Sequence, residues 1–223
     1  MAKNSDAHRR RTLYSAGVKK NIGWPLLLLL VFAVSRWPGL MPANFSAAYA
    51  MVFCAGLYVP GVAGWIIPLA VLAGTDLLIS LFFYPQYFTW NGFLVNQAPN
   101  YIAYAGLIAL GRSVGRKRPW WMLLCGGMVG AVLFYLVTNT ASWLILPYAK
   151  TWAGWITALT AGMPGHAETW EFFRNTLSSG GLFTGLFVGA MKMTEAEEEE
   201  KAEEPEKEAQ SADGECEPAD AET

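Results

Sequence analysis

Histidine and cysteine are scarce, with two His and three Cys in 223 residues. No CxxC or Cys/His metal spacing occurs, so the sequence predicts no protein-built metal site and no metal ligands. Acid is nearly absent from most of the chain. Before residue 194 there are only Asp6, Asp76, Glu168 and Glu171, against fourteen Lys and Arg. No nucleophile elbow, Walker or Rossmann glycine pattern is present, which argues against an enzyme and against a bound cofactor. His166 and Glu168 could serve as an acid–base pair, but a lone His in a polar loop is the plainer reading. The basic residues flank apolar runs and form no stripe with interleaved aromatics, so no nucleic-acid partner is expected.

What the chain has is apolar length. Hydrophobic residues make up 53% of it, with ten Trp and twelve Phe. That composition is too apolar for a soluble domain and points to membrane lipid as the surroundings. The reading is all-α: a basic N-terminus over 1–21, a six-helix membrane domain over 22–193 and an acidic tail over 194–223. The six segments fall at 22–35, 46–59, 62–83, 98–114, 119–143 and 171–193. Residues 84–97 read as a polar-aromatic loop without Lys or Arg. Residues 144–170 read as a connector holding a short surface helix in WAGWITALTAGMPGH. A signal peptide cleaved after Ser35 is the alternative for the first segment.

Eleven bases of the body cluster at the N-terminus, at 112–118 and at Lys192, and only Arg36, Lys150 and Arg174 lie elsewhere. The positive-inside rule then places both termini in the cytoplasm of a multi-pass protein of the cytoplasmic (inner) membrane. The tail carries fourteen Asp and Glu against two Lys and reads as disordered. Gly181, Gly185 and Gly189 form a doubled GxxxG, and Gly126/Gly130 and Gly111/Gly115 repeat the spacing. Such faces let helices approach closely in lipid, and packing within the chain is the simpler use of them.

Asp76 is the costliest residue in the apolar part, because a charge inside a span must be paired or wetted. It lies fourteen residues into its segment, roughly 21 Å deep at 1.5 Å per residue. Other polar groups reach that level from the far side. Asn44 and Ser46 open the second segment. Asn96, Asn100 and Tyr104 share a face of the fourth, and Tyr135, Thr138, Asn139 and Ser142 a face of the fifth. Glu171, Arg174, Asn175 and Ser178 share a face of the sixth. Trp90, Trp143, Trp152, Trp155, His166 and Trp170 would ring the same rim. One reading is inter-helix glue and an aromatic belt, with Asp76 paired to Arg36 or Arg174 and Glu171 pairing with Arg174. The other is an outward cup for a small-molecule solute, lined by Arg36, Asn44, Asp76, Asn100, Asn139, Trp143, Glu171, Arg174 and Asn175. Its polar floor would be Asp76, Arg36, Asn139, Arg174 and Asn175.

The stretches RWPGLMPANFSAAYA with CAG, WIIPLAVLAGTDLLIS, LFYLVTNTASWL and TWEFFRNTLSSGGLFTGLFVGAMK cover most of residues 36–192. In them the chain resembles a family of uncharacterised bacterial integral-membrane proteins. That group looks in turn like the substrate-binding, or S, components of energy-coupling-factor (ECF) transporters. The resemblance implies a six-helix bundle that binds a small nutrient such as a vitamin in an outward cup. It also implies a partner, a transmembrane coupling subunit driven by ATPases. Many S components dock through an AxxxA patch on the first helix. Here that helix reads WPLLLLLVFAVS and lacks the patch. The expected function is therefore a solute-binding transport subunit, with a membrane scaffold as the alternative and a membrane enzyme third.

Overall fold

The structure, a computed structural model, describes residues 23–214. The basic N-terminus and the last nine residues of the tail lie outside the described residues. Seven helices follow in order: α1 Gly23–Ser35, α2 Ala48–Tyr58, α3 Ala63–Phe83, α4 Trp90–Val114, α5 Trp120–Ile145, α6 Trp152–Leu159 and α7 Thr169–Gly214. A short 3-10 turn, Pro85–Tyr87, separates α3 from α4, and no strand occurs among the described residues.

Apolar residues cover every face of α2, and such a helix is stable only when surrounded. It packs against α3, α4, α5 and α7 and forms the centre of the core. Val52 and Phe53 are fully buried there, among Phe32 from α1, Leu72 from α3 and Ile108 from α4. Pro60 cannot continue the helix, and Gly61 turns the chain with a positive φ of 65°. The Arg112 guanidinium at the end of α4 donates to the Gly61 carbonyl and lies over the Trp65 ring, which ties that turn down.

Two close approaches set the helix spacing. A Cβ at Gly56 would collide with the Ile108 carbonyl, and one at Gly111 with the Phe53 carbonyl, so α2 and α4 meet backbone to backbone. Helices α5 and α7 meet where the lack of a side chain at Gly127 makes room for Thr184, and where a Cβ at Gly180 would come within 2.6 Å of Ala131. The doubled GxxxG of α7 behaves differently from the sequence expectation. Gly181 and Gly185 touch only the flexible Met128 and Leu124 side chains, and a Cβ at Gly189 would meet nothing within 4 Å. Their face is turned outward because Phe183, Thr184, Phe187 and Val188 occupy the inward side of α7.

Helices α3 and α5 are long and apolar enough to cross a membrane. The other apolar segments miss that measure for separate reasons. At 13 and 11 residues, α1 and α2 fall short of the ~20 residues a span needs. Helix α4 starts with the polar stretch WNGFLVNQAPN. Helix α7 carries the polar and small-residue run RNTLSSGG inside its apolar part.

Two corrections follow. Residues 84–97 are largely helical: Thr89 caps α4 by accepting from the Gly92 N–H at 3.1 Å, so the helix begins eight residues before the sequence places it. Residues 194–214, read as disordered, continue α7 as helix. Glu, Ala and Lys are strong helix formers, and a helix already anchored in the bundle needs no new nucleus to extend through them. At 46 residues α7 is about 69 Å long. Glu195 holds its near end by accepting from Lys192 at 2.9 Å, and Arg116 of the α4–α5 hinge lies 4.0 Å away.

Candidate functional site: a polar cup beneath a strap

The chain between α1 and α2 forms a strap over the ends of α3, α4 and α5. Its ends are fixed by one hydroxyl. Ser35 Oγ donates to the Phe32 carbonyl at 2.8 Å and accepts from the Ala47 N–H at 3.0 Å. Asn44 adopts φ 61°, a left-handed conformation that Asn tolerates better than most residues. Its carbonyl accepts from the Tyr49 hydroxyl at 3.1 Å. Asn175 Nδ2 on α7 donates to the neighbouring Ala43 carbonyl at 2.9 Å. Trp37 packs edge-on against Phe83, with ring centroids 5.4 Å apart.

At the inner end of the strap Arg36 reaches Asp76. Arg36 Nη2 donates to Asp76 Oδ1, and the Tyr101 hydroxyl of α4 donates to Oδ2 at 2.9 Å. Asp76 is only 6% exposed, so both oxygens need the partners they have. Arg36 also lies over the Phe32 ring, 5.9 Å from its centroid, and its Nε is buried without a partner.

Beneath the strap is a cavity of about 690 Å³. Arg36, Asn44, Asp76, Asn100 and Asn139 line it, together with Trp37, Tyr49, Tyr84, Gln97, Tyr104, Phe134, Thr138, Ser142 and Phe172. Tyr104 and Phe134 stack with centroids 5.0 Å apart, and Tyr49 tilts against Phe134 at 4.6 Å. The amides are partly engaged. Asn100 Nδ2 donates to Gln97 Oε1 at 2.6 Å, and Asn139 Nδ2 donates to the Tyr135 carbonyl at 2.9 Å. A recess of this size, where aromatic rings meet a larger set of converging amide, hydroxyl and ionic groups, has room for a small molecule.

Five of the nine residues singled out in the sequence thus meet at one cavity, and four do not. Trp143 sits at the end of α5, where its Nε1 donates to the Ala149 carbonyl at 2.9 Å. It borders a separate recess of about 290 Å³ with Lys150, Thr151, Trp152 and Trp155. Arg174 is exposed and lies over the Trp170 ring, 5.3 Å from its centroid. Phe172 is the α7 residue that faces the cavity. At 3.6 residues per turn Arg174 lies about 200° around the helix from it. Glu171 is half-buried off the cavity and forms no ion pair with Arg174 among the described residues. Asn175 holds the strap rather than the floor. Of the tryptophans, Trp37 borders the cavity; Trp90, Trp152, Trp155 and Trp170, assigned to the rim, do not, and neither does His166. Tyr135, placed on the cavity face of α5, turns its hydroxyl to donate to the Leu159 carbonyl of α6.

Tyr101 and Gln97 were not legible as site residues. Tyr101 could have been sought, because a buried carboxylate has two oxygens to satisfy and a single Arg donor fills one. Gln97 was hidden in the stretch read as loop. Among the described residues, no group of three His, Cys, Asp or Glu side chains could hold a metal ion.

No curated protein and no solved structure matches this chain. One protein family matches residues 18–203, covering the whole of the strap and the cavity, and the chain belongs to it: DUF6580, a family of unknown function.

Proposed function

We propose that the chain is an integral-membrane, non-catalytic solute-binding subunit of a transporter, similar to an ECF S component, and that the cavity beneath the strap is its binding cup. The observation that carries this reading is the cup itself. About 690 Å³ of space is walled by Tyr and Phe, floored by the Arg36–Asp76 pair and edged by amides and hydroxyls. In this reading six helices lie in the membrane, both termini are cytoplasmic and the cup opens outward. Large apolar side chains exposed on α3 (Ile66, Ile67, Leu78, Phe82) and α5 (Val129, Leu133, Leu136, Val137) favour lipid around them. The proximity of Arg116 to Glu195 favours the basic hinge and the Lys192 level of α7 on one face. The solute would be a small nutrient, and a transmembrane coupling subunit with its ATPases would be the partner.

A scaffold without a ligand is the second reading. It is favoured by the saturation of Asp76, whose two oxygens are already satisfied within the protein.

Topology and partners test the proposal together. Reporter fusions after Gln86 and after Lys117 are expected to report opposite faces of the membrane. Affinity purification from membranes is expected to bring down a coupling subunit with an ATPase. Fusions reporting the same face would remove the six-span arrangement, and purification without such a partner would favour the scaffold.

A further inference from the structure

Three tryptophans set apart from the cup line a recess of their own. At the end of α5, Trp143 turns its Nε1 to the Ala149 carbonyl, and Trp155 of α6 donates from Nε1 to Thr140 Oγ1 at 3.0 Å. Both indoles spend their N–H inside the protein and have ring surface left. Trp152 tilts against Trp155 with centroids 4.7 Å apart and is 74% exposed. These rings, with Lys150 and Thr151, enclose about 290 Å³.

Lys150 supplies the charge of this recess, and no Asp or Glu lines it. Its ammonium donates to the Trp143 and Leu146 carbonyls at the end of α5 and lies over the Trp143 ring. An ammonium has three N–H groups, so one is left over. Lys150 is exposed, and among the described residues it forms no ion pair.

The surroundings are apolar. Gly154 and Ala158, one turn apart, are the buried side of α6, and a Cβ at Gly154 would collide with the Ala149 carbonyl. Trp152 and Ile156, also one turn apart, are exposed. Leu144, Ile145 and Leu146, at the end of α5, are exposed as well. Apolar residues, Trp and a single Lys together are the composition of a protein surface at the headgroup level of a bilayer.

Resting on the membrane placement proposed above, in which α5 runs outward from the basic hinge, we propose that this recess holds the phosphate of one anionic phospholipid. Lys150 gives its remaining N–H to a phosphate oxygen, and Trp152 and Ile156 lie against the glycerol and the first acyl carbons. The ammonium of phosphatidylethanolamine finds no carboxylate here and is repelled by Lys150. Phosphatidylglycerol, whose headgroup carries no cation, is therefore preferred.

The test titrates the full-length protein in detergent with phosphatidylglycerol and with phosphatidylethanolamine of the same acyl chains. Bound lipid is counted by native mass spectrometry. The protein is expected to retain one phosphatidylglycerol about fivefold more tightly than phosphatidylethanolamine, the factor one basic side chain contributes near a membrane surface. Lys150→Gln is expected to lose that preference and Lys150→Arg to keep it. Trp152→Ala, at an exposed position, is expected to weaken the same adduct without lowering the melting temperature. Excess glycerol 3-phosphate is expected to leave the lipid in place; displacement would assign the recess to a soluble phosphate and overturn the lipid. Equal retention of the two lipids, or an unchanged preference in a folded Lys150→Gln protein, overturns the inference. So does a Trp152→Ala protein that holds phosphatidylglycerol as tightly as before, since the lipid would then sit on another basic surface. An empty cup with this preference intact would remove the solute-binding reading alone, and a filled cup without the preference would remove this inference alone.

Discussion

Asp76→Leu, made alone, is expected to destabilise the protein by about 3–5 kcal/mol, because it strands the Arg36 guanidinium without its anion. The reasoning is geometric. Asp76 is 6% exposed and accepts from both Arg36 and Tyr101, so the change leaves two half-buried donors without their acceptor. Adding Arg36→Met is expected to recover much of the loss, since a buried pair replaced whole by apolar residues is often nearly neutral. Thermal and denaturant unfolding of the two single variants and the double variant gives the coupling directly. A single change that leaves stability untouched would show that the pair is wetted and contributes nothing to holding the strap. The strap makes the effect larger than that of an ordinary surface pair. Arg36 is the first residue after α1, and its contact fixes where the chain crosses the cavity.

Gly111→Leu is expected to cost more than the ~1–3 kcal/mol usual for overpacking, and to separate α2 from α4 or prevent assembly. Its Cβ would collide with the Phe53 carbonyl, and a backbone carbonyl in a buried helix cannot rotate aside as a side chain can. Gly56 faces the same contact from α2, against Ile108, so Gly56→Leu is expected to behave alike. Gly189→Ala is the matched control. Nothing lies within 4 Å of its Cβ, and Ala is favoured over Gly in a helix by about 1 kcal/mol. Yield and melting temperature of the purified variants distinguish them. Equal tolerance of Gly111→Leu and Gly189→Ala would contradict the packing described.

The all-helical class was legible because long apolar runs leave little choice, and because the Pro60–Gly61 break and the 112–118 hinge punctuate them. Boundaries failed where polarity was read as loop. Asn91, Asn96 and Gln97 lie in a helix that Thr89 caps, and a cap of one residue outweighed the polar look of the next ten. The acidic stretch failed for the opposite reason. Charge density argues against a core, but 194–214 needs none, since α7 is already anchored upstream. At the site, Arg36, Asn44, Asp76, Asn100 and Asn139, which depth arithmetic set at one level, line one cavity. Depth says nothing about rotation. Arg174 and Glu171 reach the right height on α7, but Phe172 faces the cavity in their place. The choice between Arg36 and Arg174 as the partner of Asp76 therefore needed the helix orientation, which a single sequence leaves open.

The solute-binding claim is tested most directly by native mass spectrometry of the full-length protein and of Thr138→Trp, which fills the cavity beneath the strap. The protein is expected to carry an additional small-molecule mass that survives removal of detergent, and the filled variant, still folded, is expected to have lost it. A protein with no added mass, or a variant that keeps the mass with the cavity blocked, would contradict the account.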